Sequence, residues 1–494
     1  MKTKNPQPAQ KSYFFGQGYK DIASAIRQSW AENAQTARKY YNNYRKRGLM
    51  SFVGIFNLFC ALSVVTFGTI FFAVISLVMT LFVSVLFLLV YLGWGIVWSF
   101  DRLYLIRKKI FTACHECKEK VLIPIYICPK CHARHTNLTP GVYGILKRKC
   151  QCGEKLPTTF FNGRKKLTAI CPVCAQQGRI TVLYDRESRP LCVPVVGGRS
   201  VGKTAYITAF SRDFINNVAP EHGLDVELYN ESMEKTYGKM RTDYIRGSTD
   251  ATERSSDITR PSAISFSFFV QHKSLHPERL VHIYDIAGEV FTDNDENEVQ
   301  RQYEYCQGII FMLDPFAIPS VRAEYGSRLA SKDRAVVGMA DINGIIDVFF
   351  NKLHQVTGLS DREMSNVPFA VVIGKTDSAE LWRNFSSEKI EKLMAANAGL
   401  SLTKSDAMDF LCRKFLIRHG MAAVVNAIDM KFRHNCYFAV SAMGHSREEG
   451  SFRPVAVMEP MEWICTMADR QLAGLWVKNK YSRKRNKEIV DVGE

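Results

Sequence analysis

Four short clusters carry residues whose types and spacing can do chemistry on one ligand. The first, Gly197-Gly198-Arg199-Ser200-Val201-Gly202-Lys203-Thr204, fits the spacing G-x-x-x-x-G-K-[ST]. Glycines let such a backbone curl until successive N–H groups face one anion, at the positive end of the helix that follows. Lys203 then reaches terminal phosphates, the Thr204 hydroxyl takes a Mg²⁺ position, and Ala205 opens the helix. The second cluster is Asp285-Ile286-Ala287-Gly288-Glu289. An Asp at the end of a buried strand can hold Mg²⁺ there, and Gly288 admits a backbone N–H close to a terminal phosphate. The third and fourth, Gly374-Lys375-Thr376-Asp377 and Ser441-Ala442-Met443, each follow an apolar run. Together they predict a nucleotide site.

Cysteines make a second chemistry. Eight of the 14 lie in close pairs: Cys114/Cys117, Cys128/Cys131, Cys150/Cys152 and Cys171/Cys174. Thiolate knuckles of this kind hold tetrahedral Zn²⁺, and the expected partition is sequential, the first four on one ion and the last four on a second. His115, His132 and His135 lie close enough to substitute. Four cysteines fill a site, which makes the zinc structural.

These residues need a scaffold. Leu191–Val196 reads as a buried strand and Ala205–Phe214 as the start of a helix; Ala263–Gln271, Leu280–Tyr284, Phe369–Ile373 and Tyr437–Val440 read as further strands. Strands alternating with helices predict a doubly wound α/β domain over 189–477, with an insertion at about 316–367. Within it Asp341–Leu353 has helical periodicity, either a platform for a protein effector or a covering helix.

Upstream the chain changes character. Residues 1–190 hold 28 Lys/Arg against 8 Asp/Glu, while 191–494 hold 37 against 40, so the basic half faces some partner other than the nucleotide. Residues 1–47 form a basic amphipathic segment, helical from about Tyr19 to Tyr44, that lies on a membrane surface or packs on a neighbour. Residues 48–100 contain no Asp, Glu, Lys, Arg or His. A single helix of that length would be about 80 Å long, so two spans, Ser51–Phe72 and Leu77–Trp98, are expected as a transmembrane hairpin. Arg45, Lys46 and Arg47 before it and Arg102, Arg107, Lys108 and Lys109 after it place the N-terminus and the nucleotide domain in the cytoplasm, at an inner or plasma membrane. With no ionisable group in the apolar run, a transport path through two such helices is not expected. The zinc ribbons follow over 110–180. Lys147-Arg148-Lys149 and Arg164-Lys165-Lys166 on them suit anionic lipid headgroups, with nucleic acid second. A basic tail occupies 478–494.

The four clusters, in this order, resemble the GTPases of the translation-factor and Ras-like (TRAFAC) class. The resemblance implies a Ras-like fold, GTP/GDP with Mg²⁺, and Asp377 accepting from guanine N1 and N2. It also implies Lys375 over the base, with the Ala442 N–H at O6 and Ser441 in support. Gly374 departs from the family's Asn or Thr, which ties this loop to the phosphate loop. The polar stretch before Ala263 would be the first switch, with Thr252 as its Mg²⁺ ligand (Thr249 and Thr259 being alternatives) and Arg246, Arg254 or Arg260 as an arginine in cis. Acidic Asp293–Glu298 would belong to the second switch. Glu289 stands where Ras-like enzymes place a water-orienting Gln, so the expected catalytic pair is Lys203 and Glu289 with slow or partner-stimulated hydrolysis. Zinc knuckles leading into the first strand, and the Met458-Glu459-Pro460-Met461-Glu462-Trp463 opening of the last helix, resemble bacterial double-zinc-ribbon GTPases, a group linked to conflict and defence systems. The expectation is a membrane-anchored GTPase switch; the alternatives are a nucleotide-binding scaffold with negligible turnover, and an ATPase.

Overall fold

The computed structural model describes residues 7–108, 110, 112–114, 117, 120–183, 188–198, 200–245, 263–286, 306–329, 342, 344, 346, 349–350, 361–444, 452–482 and 489–491. The chain divides into two compact units, Met1–Lys108 with Ile123–Pro172, and Lys109–Leu122 with Val173–Glu494.

In the first unit, α1 (Gln17–Arg47) turns at Gly48 into α2 (Phe52–Arg107), one continuous helix of 56 residues. The expected break near residues 73–76 is absent, which corrects the two-span hairpin. Ala-Val-Ile-Ser at that point offers no Gly, Pro or Asn to end a helix, and the one irregularity is a π turn at Val64–Gly68. The hairpin lies between α1 and α2 instead. A β-carbon on Gly54 would meet the Gly48 carbonyl at 2.1 Å, so that turn closes only over a glycine. Trp30 Nε1 donates to Ser76 Oγ (2.9 Å) and Tyr19 packs edge-on to Phe87, so α1 runs back along α2. Segment 7–12 then joins the ribbon, where Gln10 N donates to the Lys149 carbonyl and Ser12 N to that of Val142.

The far end of α2 is fixed to the same ribbon. Buried Asp101 accepts from Phe160 N (2.8 Å) and from the equally buried Arg164 (3.0 Å), and Trp94 Nε1 donates to the Pro140 carbonyl. Arg148 is also buried, bonded to the carbonyls of Thr136 and Asn137. Of the two basic runs, therefore, Lys147, Lys149, Lys165 and Lys166 face solvent and the arginines serve the fold.

The second unit is built on seven strands: β1 (Arg189–Gly197), β2 (Asp225–Leu228), β3 (Ala263–Gln271), β4 (Arg279–Ile286), β5 (Ile309–Leu313), β6 (Phe369–Ile373) and β7 (Asn435–Ala439). Their order is β2-β3-β4-β1-β5-β6-β7; β2/β3 and β3/β4 are antiparallel, the other neighbours parallel. Strands β5 and β6 are buried throughout, the pattern of parallel strands covered on both faces. Ile309, Phe311 and Leu313 enter one core and Ile310 and Met312 the other, as a period of two requires. Ile342, Ile346 and Phe349 from the insertion pack into the first of these cores, as a covering helix would. The Met458–Trp463 motif opens a helix, Glu459–Ala468, whose Met461 and Trp463 are buried in the second core. Its Glu462 accepts from Asn479 and from the Tyr481 hydroxyl (2.6 Å). Part of the basic tail returns to this unit, since the Asn397 amide pairs with both backbone groups of Val490.

Candidate nucleotide site and zinc centres

Parallel strands deliver their C-terminal ends to one edge of the sheet, which brings the sequence clusters into a row. Asp285 ends β4; the phosphate loop follows β1; Asp314 follows β5; Gly374–Asp377 follow β6; Ser441–Ala442 follow β7. Ligands of open α/β sheets bind outside this edge, where the chain turns to opposite wings of the sheet.

At the phosphate loop, α3 (Lys203–Asp213) starts directly after Gly202. Ser200 and Gly202 have left-handed φ (61° and 96°), which folds the loop so that backbone N–H groups can converge on an anion. Gly197 cannot carry a side chain: a β-carbon there would sit 2.5 Å from the Met312 carbonyl of the neighbouring β5. Lys203 Nζ donates to the carbonyls of Gly197 (3.0 Å) and Gly198 (2.9 Å), so the ammonium lies across its own loop. Val201 and Ala205 are buried beneath it. Thr204 Oγ1 donates to Asp285 Oδ2 at 2.6 Å. A hydroxyl and a buried carboxylate already in contact are the oxygen donors that a hard divalent cation takes, so the pair fits Mg²⁺.

The base-side loops hold each other. Ser441 Oγ donates to Asp377 Oδ1 and accepts from Gly444 N (2.7 Å). Ser441 also exchanges backbone bonds with Val455 (3.1 and 2.8 Å). Lys375 adopts a left-handed φ of 52° and its Nζ bonds Asp314 Oδ2 at 2.6 Å. The other oxygen of Asp314 accepts from Phe316 N, so a buried carboxylate aims the lysine. Gly374 N donates to the Leu313 carbonyl, and a β-carbon on Gly374 would lie 3.3 Å from the Val201 carbonyl. A side chain at Gly374 would thus press on the phosphate-loop backbone.

Asp314 is a participant that sequence reasoning missed: it is a single residue with no motif spacing, and the one available signal was its position straight after an apolar strand. Arg199, Thr252, Gly288 and Glu289 lie outside the described residues. So do Thr249, Thr259, Arg246, Arg254, Arg260 and Asp293–Glu298.

The cysteines form two clusters, each with four sulfur atoms within 4.8 Å of one another, but not in the sequential partition. Cys114, Cys117, Cys171 and Cys174 make one, and Cys128, Cys131, Cys150 and Cys152 the other. This nesting corrects the expectation. The turn Cys128–Cys131 (His132 N to Cys128 O) faces the tight turn Cys150–Gly153 at the tip of the hairpin Lys147–Lys149/Lys155–Pro157, leaving the flanking pairs to each other. Sulfur separations of 3.7 Å (Cys114–Cys174), 3.6 Å (Cys128–Cys152) and 3.5 Å (Cys131–Cys150) approach the roughly 3.8 Å edge of a ZnS₄ tetrahedron with 2.3 Å bonds. The short Cys150-Gln-Cys152 spacing is no obstacle, and among the described residues no histidine enters either cluster.

Residues 191–424 match the family described as Double-GTPase 2. SaeC of Mycolicibacterium smegmatis, named as a proposed ESX-1 scaffolding and assembly protein, is 22% identical over 325 residues, covering 60% of this chain and 78% of SaeC. The Arl6 BBS3 small GTPase from Trypanosoma brucei, solved with the nucleotide analogue GppNp, is 13% identical with a TM-score of 0.26, over 57% of this chain and 99% of that one.

Proposed function

We propose that this protein binds GTP with Mg²⁺ and hydrolyses it as a switch held at a membrane. The observation that carries the reading is the row of side chains on one sheet edge: Lys203 on its loop, Thr204 on Asp285, Lys375 on Asp314 and Ser441 on Asp377. In this reading the loop N–H groups and Lys203 bind the phosphates, while Thr204 and Asp285 hold Mg²⁺, which neutralises charge on the β- and γ-phosphates. Asp377 accepts from guanine N1 and N2, and Lys375 covers the base. Thr252 and Gly288 would close on the γ-phosphate and Glu289 would orient water, releasing after hydrolysis.

The membrane part rests on α2, whose large apolar side chains are mostly exposed along its length. At about 1.5 Å per residue α2 is roughly 84 Å long, so a hydrocarbon core of about 30 Å takes only part of it. Where α1 covers that part, α1 must leave, because Lys20, Arg27, Arg38 and Lys39 on it cannot enter hydrocarbon cheaply. Arg102, Arg107, Lys108 and Lys109 put the ribbon end of α2 on the cytoplasmic side. The exposed lysines of the ribbon would meet anionic lipid there, and an unidentified protein effector would read the switch.

A second reading, a nucleotide-binding scaffold with negligible turnover, is favoured by the likeness to SaeC. The deciding experiment measures GTP and ATP affinity and single-turnover hydrolysis on the purified full chain, with Asp377→Asn and Lys203→Ala alongside. A GTP switch predicts guanine preference, measurable turnover, an Asp377→Asn variant that exchanges GTP for xanthosine triphosphate, and a Lys203→Ala variant that loses binding or turnover. Guanine preference without turnover selects the scaffold, and equal use of ATP overturns the guanine assignment.

A further inference from the structure

We propose that Tyr244 is a specificity-determining, positioning residue of the nucleotide site, holding the base-reading turn at Ser441–Ala442 in place. The proposal rests on the GTP reading above and adds to it a residue that sets the base-reading turn. Tyr244 lies in the last turn of α4 (Glu231–Ile245), and its hydroxyl donates to the Ala442 carbonyl. Its ring is 1% exposed and stacks on Phe452, centroids 4.4 Å apart at 28°.

The other ties on the turn come from closer in the chain, within 64 residues. They come from Asp377, Gly444 and Val455, and from Arg453 N on the Met443 carbonyl. Tyr244 reaches the same turn from 198 residues earlier in the chain. Helix α4 packs against α3, the helix that carries Lys203 and Thr204, and against β2 and β3. A buried hydroxyl costs stability unless it is bonded, and phenylalanine would fill the same space without that liability. The hydroxyl therefore serves the one acceptor it meets. Burial pushes the phenol up to about 12, so it stays a donor throughout the physiological range.

The test is Tyr244→Phe in the full chain, which keeps the ring stack and removes one hydrogen bond. Affinities for GTP and ATP are compared with wild type, together with the melting temperature without nucleotide. The expected result is a fall in the GTP-to-ATP preference of about tenfold, the upper range for one hydrogen bond, with the nucleotide-free melting temperature unchanged. A wild type that prefers GTP beside a variant with the same preference overturns the role of Tyr244 and leaves the GTP reading standing. A wild type without guanine preference overturns both. If Tyr244→Phe does not fold, Phe452→Leu, which keeps the hydroxyl and loosens its ring, is put through the same comparison with the same outcomes.

Discussion

Gly374 sits at a contact that no side chain would improve. A β-carbon there would stand 3.3 Å from the Val201 carbonyl and 3.5 Å from that of Leu313, both backbone atoms of elements that carry the site. The Asn or Thr that the Ras-like class uses ties this loop to the phosphate loop through a side chain; here a side chain would press on the Val201 carbonyl. Gly374→Asn, the substitution toward that class, is therefore expected to weaken GTP binding. Crowding of about 1 kcal/mol corresponds to a loss of roughly fivefold, measured by titration with a fluorescent GTP analogue, whereas tighter binding would show that the loop lacks a tie. The sequence could display Gly374 as an exception but not explain it, because the reason is a distance between chain segments more than 170 residues apart. Lys203, Thr204 and Asp285 were legible as a set, since a phosphate site imposes spacing on the chain. Asp314, which aims Lys375, was not, since a second partner can come from any strand end.

Elements carry a different kind of information. Strand β6 (Phe369–Ile373) falls where its residues predicted, whereas β5 (Ile309–Leu313), equally apolar and buried on both faces but followed by no motif, was not read as a strand. The short antiparallel β2, with alternating exposure and little apolar content, gave no such signal. The long helix misled for a related reason: length against a bilayer argued for a break, while local chemistry offers no residue to make one, and local chemistry prevails in α2. Zinc pairing shows the same limit, because knuckle spacing identifies ligands but not partners. Here a double substitution decides. With nested pairing, Cys117→Ser together with Cys171→Ser damages one cluster, and the purified chain should keep one equivalent of zinc by elemental analysis. Sequential pairing would place these cysteines on different ions and leave none. The reciprocal pair Cys131→Ser with Cys150→Ser should likewise keep one equivalent.

At the scale of the whole chain, charge and hydropathy divide the labour: a basic half with the apolar helix, and a near-neutral half with the nucleotide site. The structure sharpens which charges are available to a surface. Arg148 and Arg164 are spent inside the ribbon, on backbone carbonyls and on Asp101, so their loss should disturb folding and not lipid choice. Breaking a buried pair such as Asp101–Arg164 costs about 3–5 kcal/mol. Lys147, Lys149, Lys165 and Lys166 are exposed, and a basic residue at an anionic surface contributes about 1 kcal/mol. Changing all four to Glu should therefore remove most of the preference for phosphatidylserine-containing vesicles over phosphatidylcholine alone, read by co-sedimentation of the full chain. Retention on phosphatidylcholine should persist, because α2 supplies apolar area that these substitutions do not touch. Raised salt should act on wild type as the substitutions do, since exposed charges are screened within about 10 Å at 0.1 M. If the variant keeps its lipid preference and instead loses binding to RNA, the lysines serve nucleic acid and the ribbon is not the lipid contact. If the variant leaves phosphatidylcholine vesicles as well, the ribbon and not α2 holds the chain to the bilayer.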